Sequence, residues 1–426
     1  MRVGLRRGSL KCAFLCAALS APSGAFAQCV DNSGFILASG QPISTAFPLG
    51  VGTSLNSLLS TINTVNTAFL TNTISFVSAP STTSPDQGTG GVWGRTVGGY
   101  TDTKPTSTFA YSTSDVPSGT GTCATRVHEE YVGTQFGFDL GKINLGGGGA
   151  NIHFGITSGY FVTKSRDLVG AAVDTFGLVD FPDGKLAADF DVPFVGAYAV
   201  LTNGGFFADS QVRFDWYRGS LTDASNGLSS NKLNADGFSV TGNFGYRLSL
   251  PSNWFIEPSA GGIYSRVSVD NFNAPGVVGT SPGLSQSSCD RLILLGIPCT
   301  PSDPTFGVFG VGTVRFDEIE SILGRASLRI GTTLTNGTYV WQPFATASVF
   351  REFAEAARAT TTVTQGPNAG ATFTAETDRV GTYGVFGVGS SVVFGNSGWL
   401  GYGRVDYKTG EKVEGVNLSL GVRHQW

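Results

Sequence analysis

Nowhere does this chain approach the roughly 18 consecutive apolar residues that a membrane-crossing helix requires. Charge is scarce too, at 14% of residues, and the net charge is -4. That balance offers no basic stripe for nucleic acid. Methionine occurs only at Met1, and there are three histidines. The cysteines form no Cys-x-x-Cys pair of the kind that holds zinc. No Walker motif is present, and the glycine run Gly146–Gly149 joins two strand-like segments rather than opening a helix, so it reads as a turn and not as a phosphate cradle. From Asn32 to Pro85 there is no charged side chain at all. If the chain enters a membrane, it must do so as a closed sheet, because lipid leaves no partner for an open edge.

What is abundant is glycine, at 60 residues, and aromatic side chains, at 12%. These suit strands and tight turns better than helices. The last twelve residues show the pattern most clearly. Val416, Leu418, Leu420, Val422, His424 and Trp426 share one parity, while Asn417, Ser419, Gly421, Arg423 and Gln425 share the other. Successive strand side chains point to opposite faces, so this segment has one apolar face, one polar face and an aromatic terminus.

Similar alternation marks Val92–Tyr100, Tyr131–Leu140, Asn151–Thr163, Phe190–Leu201, Gly205–Tyr217, Gly237–Leu250 and Asn253–Val267. It resumes at Ile322–Leu334, Tyr339–Phe350, Arg379–Phe394, Gly398–Lys408 and Glu414–Trp426. About twelve strands, an even number, fit a bacterial outer-membrane barrel. Phe190–Leu201 and Tyr339–Phe350 are apolar on both faces, so their parity assigns no side. The connections alternate between short and long. Thr101–Glu130, Lys164–Asp189, Gly219–Asp236, Ser268–Ser321 and Arg351–Asp378 are the long ones, and only Thr409–Val413 is short where a long one is due. Outer-membrane barrels place short turns in the periplasm and long loops outside, which puts Trp426 in the periplasm. Inward parity falls on Asp209, Arg213, Asp215, Arg247, Glu257 and Arg329. Mixed signs read as a solvated lumen rather than a selective ring.

The N-terminus reads as a secretory signal over residues 1–27. It has basic residues Arg2, Arg6, Arg7 and Lys11, a short apolar centre, and the small-x-small site Ala25-Phe26-Ala27, which predicts cleavage between Ala27 and Gln28. Export through the Sec pathway follows. The mature chain keeps Cys29, Cys123, Cys289 and Cys299. An even count in an exported protein favours two disulfides, with three pairings open. Gln28 stands where a lipid-attachment site needs a small residue, so Cys29 is read as a thiol. Residues 28–90 form a short segment before the barrel. Within it Leu55, Leu58, Leu59, Ile62, Val65 and Phe69 recur at helical spacing, opposite Asn56, Ser57, Ser60, Asn63, Thr64 and Thr67. A helix is expected around 54–77. A twelve-strand barrel has a backbone radius of about 12 Å, which leaves room for one helix roughly 10–12 Å wide. The expectation is a helix in the lumen.

The histidines suggest no catalysis. His424 lies on the apolar parity of the last strand, His153 has inward parity, and His128 sits in His128-Glu129-Glu130 at a loop end without a partnered nucleophile. No catalytic residue, cofactor or metal site is expected.

Several segments together resemble a known family. They are V-W-G-R-T-V-G-G (Val92–Gly99), Y-V-G-T-Q-F-G-F-D-L (Tyr131–Leu140), F-G-Y-R-L-S-L (Phe244–Leu250), I-E-P-S-A-G-G-I-Y-S (Ile256–Ser265), R-A-S-L-R-I-G (Arg325–Gly331) and the terminal strand. Their order and spacing resemble the translocator barrel of autotransporters, the type V secretion proteins, over residues 91–426. The resemblance implies an all-β fold: a closed antiparallel transmembrane barrel of twelve strands with an N-terminal helix threading the pore from outside to periplasm. It implies a non-enzymatic monomer in outer-membrane lipid, delivered by periplasmic chaperones and inserted by the barrel-assembly machinery, which reads Val416, Leu418, Leu420, Val422 and Trp426. One departure is large: the segment before the barrel is too short for a β-helical passenger. Asn63, Asn66 and Asn72 are not adjacent, so the linker cleavage common in the family is not expected. A helix running as in the family brings Cys29 near the loop holding Cys123, which implies a Cys29–Cys123 bond and leaves Cys289 with Cys299. A diffusion channel is the alternative reading, and an outer-membrane hydrolase a more distant one.

Overall fold

A computed structural model describes residues 29–31, 46–69, 85–112, 119–169, 184–223, 228–281, 290, 305–365, 369–394 and 397–426. In chain order the elements are β1 (Cys29–Asp31), α1 (Ala46–Ala68), β2 (Gln87–Thr103), β3 (Thr106–Ser112), β4 (Gly119–Ala124), β5 (Arg126–Leu145), β6 (Ala150–Val169) and β7 (Gly184–Asn203). There follow β8 (Phe206–Asp223), β9 (Leu228–Tyr246), β10 (Leu248–Ser249), β11 (Trp254–Val269), β12 (Phe272–Ser281), β13 (Thr305–Phe316) and β14 (Ile319–Thr332). The last are β15 (Leu334–Asn336), β16 (Tyr339–Glu352), β17 (Ala357–Val363), β18 (Thr372–Thr377), β19 (Thr382–Phe394), β20 (Trp399–Gly410) and β21 (Val413–Gln425).

Twelve long strands form a closed antiparallel barrel in the order β2, β5, β6, β7, β8, β9, β11, β14, β16, β19, β20 and β21, with β10 and β15 as short extensions. The first and last strands close it, in register from Gly91 opposite Gln425 to Thr103 opposite Val413. Each of the twelve alternating segments seen in the sequence lies on one of these strands. The strands β5 to β9 run several residues further at the long-loop end than the alternation suggested, so the expected loops Lys164–Asp189 and Gly219–Asp236 are in part strand.

The two faces of the wall are inverted relative to a water-soluble protein. Phe136, Phe154, Ile156, Phe214, Leu420 and Trp426 are exposed on the outside, Ile156 by 66%, while Gln135, Asp139, Arg213 and Arg423 are buried inside. Exposed apolar girdles around buried charges are stable only where hydrocarbon surrounds the wall. Short turns join the strands at one end. In the Gly146–Gly149 turn, Gly146, Gly147 and Gly149 have φ of 56°, 73° and 78°, a region where a Cβ is strained.

At the other end the long connections do not remain loops. Strands β1, β3, β4, β12, β13, β17 and β18 build a second, seven-stranded sheet in the order β1-β4-β3-β18-β17-β13-β12. Apart from β1, these segments, expected as long loops, are instead the strands of a cap. Its inward face uses Ala357, Ala359, Ala371, Phe373, Ala375 and Val314, and these small residues, interleaved with Thr, produce only a weak hydrophobic alternation.

Candidate functional site: the helix inside the barrel

From Ser54 onward α1 is buried on both its apolar and its polar side. It begins at Ala46, earlier than expected; residues 70–84, where the expected helix would have ended, lie outside the described residues. Leu55, Leu58, Ile62, Val65 and Phe69 form one continuous core with Leu186, Phe190 and Leu221 of the wall and with Phe316 and Phe373 of the cap. The Phe69 ring meets Phe161 edge-on at 5.9 Å and Phe194 at 5.7 Å. This explains β7. Its inward face is apolar because it faces the helix, and its outward face is apolar because it faces lipid.

On its polar side α1 is bonded to the wall and cap at three levels, through Asn56, Thr61 and Asn66. Asn56 donates to Thr125 at 3.0 Å and to Asp167 at 3.3 Å, and accepts from Ser107 at 3.3 Å. Thr61 donates to Glu129 at 2.9 Å, and Asn66 donates to Ser265 at 2.8 Å. Burying an unpaired amide or hydroxyl costs roughly 1–3 kcal/mol, so these contacts select one depth and one rotation for the helix.

The C-terminal end is held by charge. The last four carbonyls of a helix lack partners within it and carry its negative dipole end. The last turn of α1 contains no basic residue; the wall supplies the cations instead. Arg95 donates to the Phe69 carbonyl at 3.0 Å and lies over the Phe69 ring at 4.8 Å. Arg213 donates to the Val65 carbonyl at 3.3 Å and to the Asn66 side chain at 3.4 Å. Arg95 is aimed by Gln135 at 2.7 Å, which Thr157 anchors in turn at 2.9 Å. Arg213 pairs with Asp215 at 2.7 Å.

The other inward groups mix both signs. Asp209 accepts from Asn243 at 3.0 Å, Arg325 donates to Asn243 at 3.1 Å, and Arg329 meets Glu257 at 3.5 Å. Arg247 stacks on Phe255 at 3.8 Å. His153 and Tyr198 both bond Asp139, at 3.0 and 2.9 Å, in a fully enclosed cluster. His128 lies outside this cluster, beside Asp102 at 3.0 Å on the outward parity of β5. Among the described residues no group of three or more His, Cys, Asp or Glu is placed to hold a metal.

On β21, Leu418, Leu420, Val422 and Trp426 are exposed to the outside, with Val416 and His424 on the same parity. Trp426 exchanges backbone hydrogen bonds with Gly90 at 3.0 and 3.1 Å. Cys29 and Cys123 lie opposite one another in the β1–β4 ladder. Cys289, Cys299, Ala27 and Gln28 lie outside the described residues. Arg95, Glu129 and Asp167, none of them among the expected lumen residues, also bond the helix from the wall. Inward parity could have flagged Arg95, since Trp93, Arg95 and Val97 share that face.

A sequence model of the Autotransporter beta-domain matches residues 92–288 and 307–410. The crystal structure of the transport unit of the autotransporter AIDA-I from Escherichia coli is similar in fold, with TM-score 0.55, 15% identity, and coverage of 87% of this chain and 97% of that one. The β-domain of the Bordetella autotransporter BrkA aligns with TM-score 0.46, 17% identity, and coverage of 79% and 98%. The translocator domain of NalP from Neisseria meningitidis aligns with TM-score 0.48, 13% identity, and coverage of 89% and 99%. No curated protein sequence matches the chain.

Proposed function

Because the chain belongs to the autotransporter β-domain family, we propose that it is a translocator-type barrel of the bacterial outer membrane, held closed by its own N-terminal helix and without catalytic activity. A Sec-type leader is removed between Ala27 and Gln28, and the long loops and their cap face the exterior. Trp426 lies at the periplasmic rim, where the terminal strand is read during assembly. Periplasmic chaperones deliver the chain, and it works as a monomer in outer-membrane lipid.

One observation carries the closed state: α1 is enclosed on its polar and apolar sides, and its C-terminal carbonyls are bound by Arg95 and Arg213. A helix passing through on its way out would not be matched so specifically to the wall. The cap shares the helix's apolar core, so leaving the barrel would expose both. The helix stays attached, because the linker lacks adjacent asparagines.

Planar-bilayer conductance tests this reading. The intact protein should pass little current, and deletion of residues 28–85 should open a large, stable pore. A large open-state current in the intact protein would instead establish the diffusion channel.

A further inference from the structure

The cap sheet ends at β1, and β1 holds Cys29 directly opposite Cys123 of β4, followed by Val30 opposite Thr122 and Asp31 opposite Gly121. Facing residues of an antiparallel ladder have Cα atoms about 4.5 or about 5.5 Å apart. A disulfide spans roughly 4.4–6.8 Å between Cα atoms, so either ladder spacing suits one without moving the backbone. On its other side Cys123 faces Ser107 of β3. Ser107 donates to Asn56 of α1 and shares a hydrogen bond with Thr377 of β18. The ladder therefore sets Cys29, Cys123 and Ser107 side by side in register, and Ser107 reaches the helix.

We propose that Cys29 and Cys123 form a disulfide that fastens the N-terminal segment to the cap, so that the outer end of the plug is held covalently while Arg95 and Arg213 hold its inner end. This rests on the reading above, since it requires an exported chain in an oxidising compartment. The bond forms by exchange with the disulfide of a thiol oxidase. One cysteine thiolate attacks it to give a mixed disulfide, and the second thiolate displaces the oxidase sulfur. The two cysteines lose two electrons and two protons overall, and the oxidase leaves as a dithiol. The consequence is directional. The segment before α1 can neither slide back through the barrel nor be drawn further outward, and release of the plug becomes dependent on reductant.

The test is peptide mapping of the full-length protein extracted from outer membranes and alkylated without reduction. A linked peptide containing Cys29 and Cys123 is expected. Cys123 joined to Cys289 or Cys299, or Cys29 and Cys123 recovered as alkylated thiols, would overturn the proposal. So would a Cys29 peptide carrying lipid. Single-channel recording adds a functional arm. Cys29→Ser, Cys123→Ser and reduced wild-type protein should each show a several-fold rise in opening frequency over oxidised wild type. Opening frequencies unchanged by reduction in a protein that does carry the bond would overturn the tether. Mapping does not depend on whether the barrel conducts, so it separates failure of the disulfide from failure of the plugged-barrel reading.

Discussion

Arg423 on the last strand grips Asp139 of β5 through both carboxylate oxygens, at 2.7 and 2.8 Å, reaching across β2 to do so. Both side chains are buried. The guanidinium passes over Gly91, where an added Cβ would lie 2.5 Å from its Nη2. The seam that closes the barrel, β21 on β2, is thus spanned by a bidentate ion pair that only a glycine beneath it permits.

Removing one side of that pair should be costly. Breaking a buried ion pair strands the remaining charge and typically costs about 3–5 kcal/mol. Arg423→Ala should lower the temperature at which the folded band converts to the unfolded band on a gel. Arg423→Ala with Asp139→Ala should lose less than the sum of the single changes. Strict additivity would mean that the pair does not couple across the seam.

Gly91→Ala probes the same seam from below without removing a charge. The new methyl group must push the guanidinium off Asp139, so the variant should resemble Arg423→Ala in direction, with a smaller loss. A change of the same size at the exposed turn residue Gly204, whose Cβ would meet nothing within 4 Å, is the wrong control because its φ is +58°. Gly242, which also has open space around it, is the better comparison and should tolerate alanine.

The helix clamp should be visible as gating. Hydrogen bonds to charged groups contribute roughly 1.5–3 kcal/mol each. Arg95→Ala with Arg213→Ala should therefore raise the open-to-closed ratio by about a hundredfold or more in planar bilayers, with the barrel still assembled. Gating identical to wild type would show that the carbonyl contacts do not hold the plug.

The two faces of β8 make opposite predictions. Phe214 points outward and Arg213 inward. An arginine on the lipid face near the midplane costs roughly 2–4 kcal/mol, whereas a lumen position escapes that penalty. Phe214→Arg should therefore yield much less heat-modifiable barrel than Gln211→Arg. Equal yields would contradict the assigned faces.

Phe373 separates the cap from the wall. It is 1% exposed within the core shared by cap and helix. Emptying such a site by Phe→Ala costs about 3–5 kcal/mol. Phe373→Ala should make the cap strands sensitive to external protease on whole cells while the wall still shifts normally on heating. A wall that fails along with the cap would mean that the two do not separate.

Much of this architecture could be read from order alone. A strand side chain alternates with period two, and that local signal located all twelve wall strands and the sides of Phe214, Arg213 and Leu420. It left β7 undecided, because Phe190, Val192 and Phe194 are apolar toward the helix while Val195 and Leu201 are apolar toward lipid. Two apolar environments cannot be told apart by counting apolar residues. The helix was legible as a stripe from Leu55 to Phe69, but its earlier start at Ala46 was not, since Pro48, Gly50 and Gly52 obscure the pattern.

By itself, then, the order of residues determined the alternating wall, the short and long connections and a helix before the first strand, because each depends on neighbours a few positions apart. The tertiary structure decided what the long connections become and what the helix touches. The cap joins segments as distant as Ser107 and Thr377, 270 positions apart, through strands of alanine and threonine whose pairing no local pattern encodes. The same holds for the arginines at the helix end. Arg95 and Arg213 look like ordinary lumen residues until the closed barrel brings them from separate stretches of the chain to the same helix end, Arg95 at the Phe69 carbonyl and Arg213 at the Val65 carbonyl.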